Sequence, residues 1–294
     1  MQISAPLRNR DFRLLWAGQS VSHIGNGVTH VALAWQALEL SRGPGGLSLV
    51  LAARSVPLVC LLLVGGAITD RASRRRIMLA SDVIRGLTVA AIAVLAATGA
   101  IRLWSLVVLA AVFGAADAFF FPASTAIIPE LVAGPDLVRA NALESFARPL
   151  TMQMVGPALG GLLVAVFGTS VAFGLDAATF AVSAACLMAI RARGSPSAQR
   201  TGLRREIADG FRYTRRQPWI WATLLMALAA VLCLSGPFQV LGLLVAKDRL
   251  GAGAGGYGLI VAAMGAGGIA GALSASRVAR GRRITRMYIA WGAA

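Results

Sequence analysis

The stretch GGAITDRASRRRIM, residues 65–78, decides how the rest of the chain is interpreted. It combines two glycines, one acid and four arginines, and long apolar runs lie on both sides of it. The run that precedes it carries no charge from Ser55 to Thr69. A short, mainly basic segment between two such runs is typical of a loop that joins two membrane-spanning helices.

Composition supports this interpretation. The chain has 294 residues, of which 57% are hydrophobic and 14% charged, and its mean hydropathy is +0.72. Soluble domains carry about a quarter charged residues, and a helix of about 20 apolar residues crosses a bilayer. We therefore predict an all-α integral membrane protein with eight spans and the start of a ninth. The predicted spans are 12–38, 47–69, 77–99, 103–124, 142–166, 170–190, 218–246 and 255–276, and a further apolar run begins at Met287.

The positions of the basic residues predict the orientation. The net charge is +16, but its clusters are short and lie between apolar runs, which argues against a nucleic-acid partner. Of the 28 Lys and Arg residues, 21 fall in loops on the side of the N-terminus and four in the opposite loops. Because cytoplasmic loops are enriched in Lys and Arg, we predict a multi-pass protein of the cell inner (plasma) membrane whose N-terminus is cytoplasmic.

The longest hydrophilic stretch divides the chain into three parts. Residues 1–191 are predicted to form a six-helix N-terminal bundle, residues 192–217 a basic cytoplasmic linker, and residues 218–294 a partial C-terminal bundle. Within the linker, apolar residues recur at helical spacing among arginines, which favours an amphipathic helix on the inner leaflet. A solvated linker explains the same residues equally well.

Three segments carry a family resemblance. The 65–78 loop closely resembles the loop between helices 2 and 3 of the major facilitator superfamily. The segment VGPALGG (155–161) resembles the core of the Gly-Pro-x-x-Gly-Gly motif of that superfamily's drug antiporters. The segment FFFPASTAIIPELVAGPDLVRANAL (119–143) is similar to the junction of helices 4 and 5 in its macrolide-efflux and siderophore-exporter branch.

The resemblance implies a major-facilitator-like bundle and a function. The function would be secondary active export of small drug-like or siderophore-like molecules by alternating access, with protons as coupling ion, in a protein that is monomeric when full length. The family has two six-helix halves, so we expect the C-terminal half of this sequence to be incomplete. We expect such a chain not to transport by itself.

The resemblance also implies a gate in the 65–78 loop, formed by Gly65, Asp70, Arg71, Arg74 and Arg75. In the family, the acid at the position of Asp70 helps to hold the cytoplasmic side closed. The alternative is that Asp70 neutralises one neighbouring arginine. Independently of the family, the glycines would let the end of span 2 approach a neighbouring helix closely.

A second motif lies in span 5, at Gly156, Pro157, Gly160 and Gly161. The proline removes one helix hydrogen bond, and the glycines leave a smooth groove. Span 8 is also dense in glycine, at Gly265, Gly267, Gly268 and Gly271. We expect tight packing of span 5 against span 8, along which two rigid bodies could rock.

Span 1 carries the candidate surface for substrate. Gln19, His23, Asn26 and His30 fall within about 60° of each other on a helix with 3.6 residues per turn. Polar groups within a span face a bundle interior or a water-filled cavity. They are therefore candidates for the substrate pathway. The alternative is that each forms a hydrogen bond to a neighbouring helix and has a structural role.

Ionisable residues within the spans are candidates for proton coupling. Asp117 in span 4 is a lone intramembrane acid by sequence and suits a proton carrier. Glu144 and Arg148 stand at i and i+4 and are expected to pair. Asp82 and Arg85 are expected to lie near that cluster, and Arg54 has no partner that the sequence identifies.

Other classes of protein receive little support. No metalloprotease motif or nucleotide-binding loop is present, and neither histidine has ligand spacing with a carboxylate or thiol, so we expect no enzyme activity, cofactor or metal. Cys60, Cys186 and Cys233 lie far apart in apolar segments. The remaining alternatives are a structural membrane subunit and the permease of an ATP-driven complex.

Overall fold

A computed structural model describes residues 5–41, 44–191 and 236–278, together with residues 217, 225 and 226. The predicted linker apart from residue 217, most of the first part of span 7 and the ninth apolar run lie outside these residues. The division of the chain into three parts therefore remains a prediction.

The described chain is built from helices. In chain order they are α1 (Arg10–Ser41), α2 (Pro44–Thr69), α3 (Arg74–Ala97), α4 (Leu103–Ala126), α5 (Ile128–Leu131), α6 (Pro135–Pro149), α7 (Gly156–Phe167), α8 (Thr169–Ala189), α9 (Gly236–Leu244) and α10 (Ala254–Val278). A 3₁₀ helix at Ala5–Arg8 precedes α1. π-Helical turns at Leu150–Val155 and Val245–Arg249 follow α6 and α9.

Among the described residues, six stretches are long and apolar enough to cross a membrane, and they correspond to predicted spans 2, 3, 4, 5, 6 and 8. Helix α1 falls outside this set because its polar side chains lower its hydropathy, although it packs against α2, α7 and α8. Span 5 begins at Pro135 rather than at residue 142. Gly134 there adopts a positive φ of 62°, and proline is favoured in the first helical turn.

The helices alternate in direction, so the connections fall at two ends of the bundle. The end that carries residues 70–73 and 132–134 is called the motif end here. The opposite end carries residues 98–102, Gly168 and residues 250–253. Gly99 ends α3 there with a φ of 69°, which places the backbone in a region that favours glycine. That the motif end is cytoplasmic remains a prediction.

Packing inside the bundle is apolar at two levels. One core fills the centre, with Val28, Val89, Leu106 and Phe173 among its buried members. A second core at the motif end includes Phe12, Met78, Phe120 and Leu187. Large apolar side chains on the outside remain exposed, for example Leu63 at 69%, as expected for a surface that faces lipid.

Candidate functional site

The 65–78 loop begins at a close contact between two helices. A Cβ atom at Gly65 would lie 2.2 Å from the carbonyl oxygen of Ala118 on α4, whereas one at Gly66 would meet nothing within 4 Å. The expected close approach of span 2 to a neighbouring helix is therefore present, but Gly65 alone makes it. Any side chain at Gly65 would push α2 away from α4.

Two arginines of the loop bind groups within the N-terminal bundle. Arg74 forms an ion pair with Glu130 on α5. Arg75 donates hydrogen bonds to the carbonyl oxygens of Leu187 and Met188, over 2.7 and 2.8 Å, at the last turn of α8. Cations stabilise the C-terminal end of a helix, where carbonyl groups lack partners. These arginines therefore fasten the loop to α5 and α8.

Asp70 and Arg71 are exposed at the motif end. No ion pair of Asp70 is seen among the described residues, and the backbone N–H of Asp70 donates to the carbonyl of Gly66 over 3.1 Å. The gate role of Asp70 thus remains a prediction.

The glycine motif of span 5 contacts two helices at once. Cβ atoms at Gly156 and Gly160 would lie 2.7 and 2.8 Å from Cα atoms of Gly27 and Val28 on α1. One at Gly161 would lie 2.8 Å from the Cα of Gly258 on α10. The contact between spans 5 and 8 that we expected is present, and α1 joins it from the other side.

The glycines of span 8 contribute differently from the expectation. A Cβ at Gly265 would lie 2.3 Å from the carbonyl oxygen of Gln153, but ones at Gly267, Gly268 and Gly271 would meet nothing within 4 Å. Gly258, which the sequence argument passed over, makes the contact with Gly161. Which glycines make contact depends on where the two helices cross. The spacing of glycines along one helix does not define that crossing.

The four polar residues of span 1 have different surroundings. The amide of Gln19 donates to Ser183 Oγ on α8 over 3.2 Å, and His23 Nε2 lies 3.5 Å from Glu144 Oε1. Asn26 donates to the carbonyl of Ser22 in its own helix over 2.9 Å. The four predicted residues therefore do not share one cavity, although they share one side of α1.

His30 lines a cavity of about 350 Å³ between α1, the π-helical turn that follows α6, α9 and α10. Its wall includes Gln153, Gln239, Tyr257 and Met264. Gln19 and His23 instead line a smaller cavity of about 50 Å³ toward the motif end, together with Glu144 and Arg148.

The expected pair of Glu144 and Arg148 is wrong. Glu144 faces His23, and the guanidinium of Arg148 lies 5.2 Å from the ring centroid of Phe121 on α4. Helix α6 contacts α1, and Arg148 reaches Phe121 on α4, so each side chain finds its partner on another helix. The local i, i+4 rule describes an isolated helix and is overridden here by tertiary contacts.

Asp117 is not the lone acid that the sequence indicated. It is 2% exposed, and each of its carboxylate oxygens accepts a hydrogen bond from an arginine. Arg85 Nη1 on α3 donates to Oδ1 over 3.0 Å, and Arg54 Nη2 on α2 donates to Oδ2 over 3.1 Å. Arg54, which had no expected partner, therefore pairs with Asp117.

The same cluster continues to α8. Arg85 forms a second ion pair with Asp82, one turn earlier on α3, and Ser183 Oγ donates to Asp82 Oδ2 over 2.7 Å. Because Gln19 in turn donates to Ser183, one hydrogen-bonded chain links α1, α8, α3, α4 and α2. We call Arg54, Asp82, Arg85 and Asp117 the charge network; within it two bases balance two acids.

Aromatic rings surround the two guanidinium groups of the charge network. The carbon of the Arg85 guanidinium lies 3.7 Å from the ring centroid of Phe120 and 4.9 Å from that of Phe180. Arg54 lies 4.6 Å from the centroid of Phe113. Cation–π contacts of this kind are stronger when the cation is desolvated. They explain how apolar helices hold two arginines at this depth.

Sequence reasoning missed Asp176 on α8. The residue is fully buried, and its carboxyl oxygen Oδ2 has no hydrogen-bond partner among the described residues. The signal was its spacing: Asp176, Thr179 and Ser183 stand at i, i+3 and i+7, on one face of an otherwise apolar span. No group of three or more residues suited to hold a metal ion occurs within the described ranges.

Known proteins resemble this chain over much of its length. It is 32% identical over 213 residues to the multidrug efflux pump Tap of Mycolicibacterium fortuitum, a match that covers 70% of this chain and 51% of the relative. It is 28% identical over 226 residues to the MFS-type transporter YfiS of Bacillus subtilis, covering 75% and 53%. It is 25% identical over 276 residues to the enterobactin exporter EntS of Shigella boydii, covering 92% and 64%.

The chain spans about half the length of the first two of these relatives. The profile of the transmembrane secretion effector family matches residues 2–290, which is nearly all of the sequence. Together with the 65–78 loop, the span 5 motif and the helical bundle, this match shows that the chain belongs to the transmembrane secretion effector family of the major facilitator superfamily of transporters.

Proposed function

We propose that this chain belongs to an exporter that moves small amphipathic molecules out of the cell by alternating access, coupled to the entry of protons. The observation that carries the proposal is the charge network, which lies at mid-depth between apolar helices. Ionisable residues within spans are costly and mark ion or substrate pathways. The relatives named as a multidrug efflux pump and as an enterobactin exporter support the direction of transport.

The cavity beside His30 is the proposed site for substrate. Its volume of about 350 Å³ lies in the range of small-molecule sites, about 300–1,000 Å³. Gln153, Gln239, Tyr257 and Met264 line it, and none of the described residues of its wall is an acid. Such a surface suits an uncharged or weakly charged amphipathic molecule that offers hydrogen-bonding groups and an apolar face.

The contact of α7 with α10 supports the proposed movement. Gly161 and Gly258 bring the two backbones within direct contact, so little side-chain interdigitation opposes sliding or rocking there. The π-helical turn at Leu150–Val155 stands between Pro149 and Pro157, where the regular helical hydrogen bonding is interrupted. These features place deformable backbone beside the proposed substrate cavity.

Asp117 enters this proposal as a member of the charge network, and no longer as a lone proton carrier. Protonation of its carboxylate would leave Arg54 without its counter-charge and Arg85 with Asp82 alone. Its proposed role is therefore to hold α2, α3 and α4 together in one state of the cycle and to exchange partners in the other. Asp70 keeps its proposed role as part of the gate at the motif end.

A transport assay in proteoliposomes tests the proposal. The transporter is reconstituted with a fluorescent amphipathic dye as probe, and a pH gradient is imposed with either polarity. Accumulation of dye that follows the gradient and is abolished by a protonophore is the expected result. Accumulation that requires ATP, or no movement of any dye in a chemically varied panel, would contradict the proposal.

A further inference from the structure

The carboxyl group of Asp176 lies deep in the bundle, outside the charge network. It stands about 10 Å along α8 from the first residue of that helix, and the residue is fully buried. Helix α1 presses directly on it, since a Cβ atom at Gly25 would lie 2.2 Å from Asp176 Oδ1. Glycine at position 25 therefore leaves room for this carboxyl group.

The hydrogen bonds around Asp176 suit a protonated carboxyl group. The hydroxyl of Thr179 lies 2.8 Å from the backbone carbonyl of Asp176 and 3.0 Å from Oδ1, but it has one hydrogen to donate. If Thr179 donates to the carbonyl oxygen, its own oxygen can accept a hydrogen bond from the Asp176 carboxyl. Oδ2 has no hydrogen-bond partner within the described part of the chain.

The balance of charges around Asp176 also favours a protonated carboxyl group. Arg54 and Arg85 already pair with Asp82 and Asp117, and they act on Asp176 only at longer range. An ionised Asp176 would therefore leave one negative charge in excess in an apolar interior. Buried charges that lack a partner are strongly disfavoured. One bound proton on Asp176 makes this level of the bundle neutral.

Apart from two histidines on α1, the neighbouring helices offer Asp176 no further basic side chain at this depth. Helix α7 carries no charged residue, and the other charges of α1 and α3 lie in their end turns. The titratable and charged groups toward the middle of the helices around α8 are His23 and His30 on α1, Asp82 and Arg85 on α3, Arg54 on α2 and Asp117 on α4. Thr29 on α1 is an uncharged polar residue, and its hydroxyl group lies within reach of the Asp176 carboxyl group.

We propose that Asp176 is the proton-binding carboxyl group of this transporter, an inference that rests on the proposed function and names the site of its coupling ion. The proton moves to and from the carboxylate, and no other bond forms or breaks. When the proton leaves, the carboxylate attracts Arg85 or Arg54 away from Asp117. Because those arginines join α2, α3 and α4, proton release at Asp176 changes the packing of the N-terminal bundle.

Infrared difference spectroscopy of the purified chain in lipid tests the site without transport. A protonated carboxyl group gives a carbonyl stretching band that disappears when the proton leaves, and the band is followed across a pH titration. We expect this band in the wild-type chain at neutral pH, its absence in Asp176→Asn, and its presence in the control Asp136→Asn, which changes an acid at the exposed start of α6. In Thr179→Val, the band is expected to remain and to change frequency, since one hydrogen-bonding partner is lost.

A second measurement separates the site from the proposed function. In proteoliposomes that contain the complete transporter, Asp176→Asn is expected to retain downhill movement of dye and to lose accumulation driven by the pH gradient. Asp176→Glu is expected to restore this accumulation in part. A wild-type chain with no protonated-carboxyl band at neutral pH, or a band that persists in Asp176→Asn, would overturn the site. A wild type that shows the band but no response of transport to the gradient would instead overturn proton coupling, and with it the role given to Asp176 in transport.

Discussion

Replacement of Asp117 by Asn offers the sharpest test of the charge network. The substitution keeps the size of the side chain and removes its charge. The carboxylate of Asp82 is then the remaining counter-charge of the charge network, and it pairs with Arg85 and not with Arg54. We expect a bundle that is markedly less stable, because one guanidinium in an apolar interior loses its counter-charge.

The magnitude follows from the two bonds that are weakened. Arg85 and Arg54 donate to Asp117 over 3.0 and 3.1 Å, and each hydrogen bond that involves charged partners contributes about 1.5–3 kcal/mol. Removal of one partner from a buried ion pair costs about 3–5 kcal/mol, which agrees with the sum of two such bonds. At about 2–4 °C per kcal/mol for a chain of a few hundred residues, the melting temperature should fall by about 6–20 °C.

Thermal unfolding of the purified chain in detergent, followed by intrinsic tryptophan fluorescence, measures this shift. The matched control is Asp136→Asn, which breaks the ion pair with Arg139 at the surface, where the side chain of Asp136 is 42% exposed. Exposed pairs contribute less than about 1 kcal/mol, so the control should melt within a few degrees of the wild type. A double variant, Asp117→Asn with Arg54→Met, should recover part of the loss, since acids and bases again balance. Equal melting temperatures for Asp117→Asn and the control would refute the reasoning.

Three further predictions concern the 65–78 loop and the orientation. Gly65→Ala should destabilise the bundle by about 1–3 kcal/mol, because the added methyl group overpacks against the α4 backbone. Gly66 faces open space, so Gly66→Ala should not destabilise the bundle. Melting temperatures of the two variants test this, and equal shifts would contradict the contact. In a cysteine-free background, Ser73→Cys should react with an impermeant thiol reagent added on the cytoplasmic side, and Ala100→Cys with the same reagent added outside. The reverse pattern would overturn the orientation. In the complete transporter, Asp70→Asn should insert normally but lose transport, because a gate contact of about 1–3 kcal/mol shifts a two-state balance by about 5- to 150-fold. Transport at the wild-type rate by this variant would contradict the gate.

Much of the architecture followed from the sequence because its determinants are local. A bilayer requires long apolar helices, and hydropathy shows them without knowledge of their neighbours. The order of helices from α1 to α8 agrees with predicted spans 1 to 6. The family resemblance likewise depended on short contiguous motifs, above all residues 65–78, and the profile match over residues 2–290 confirmed it.

Helix partners were harder to obtain from the sequence. The contact of span 5 with span 8 was expected from two glycine-dense segments, and it is present. The sequence named Gly265 among four candidate glycines and passed over Gly258, because the choice depends on how the two helices cross. The start of span 5 at Pro135 was missed because the first turns of α6 carry polar residues such as Asp136 and Arg139, which hydropathy assigns to a loop.

The pairing of charges was decided by the tertiary structure alone. Asp117 looked isolated and Arg54 looked unpartnered because their separation along the chain is large, yet Arg54 Nη2 and Asp117 Oδ2 lie 3.1 Å apart. Glu144 was assigned to Arg148 by local spacing, and it faces His23 instead. The sequence determined that these charges lie within the membrane, since hydropathy sets the depth of each residue. Which acid meets which base depends on how α1, α2, α3, α4, α6 and α8 rotate and pack, because ion pairs require distances of a few ångströms that only the assembled bundle fixes.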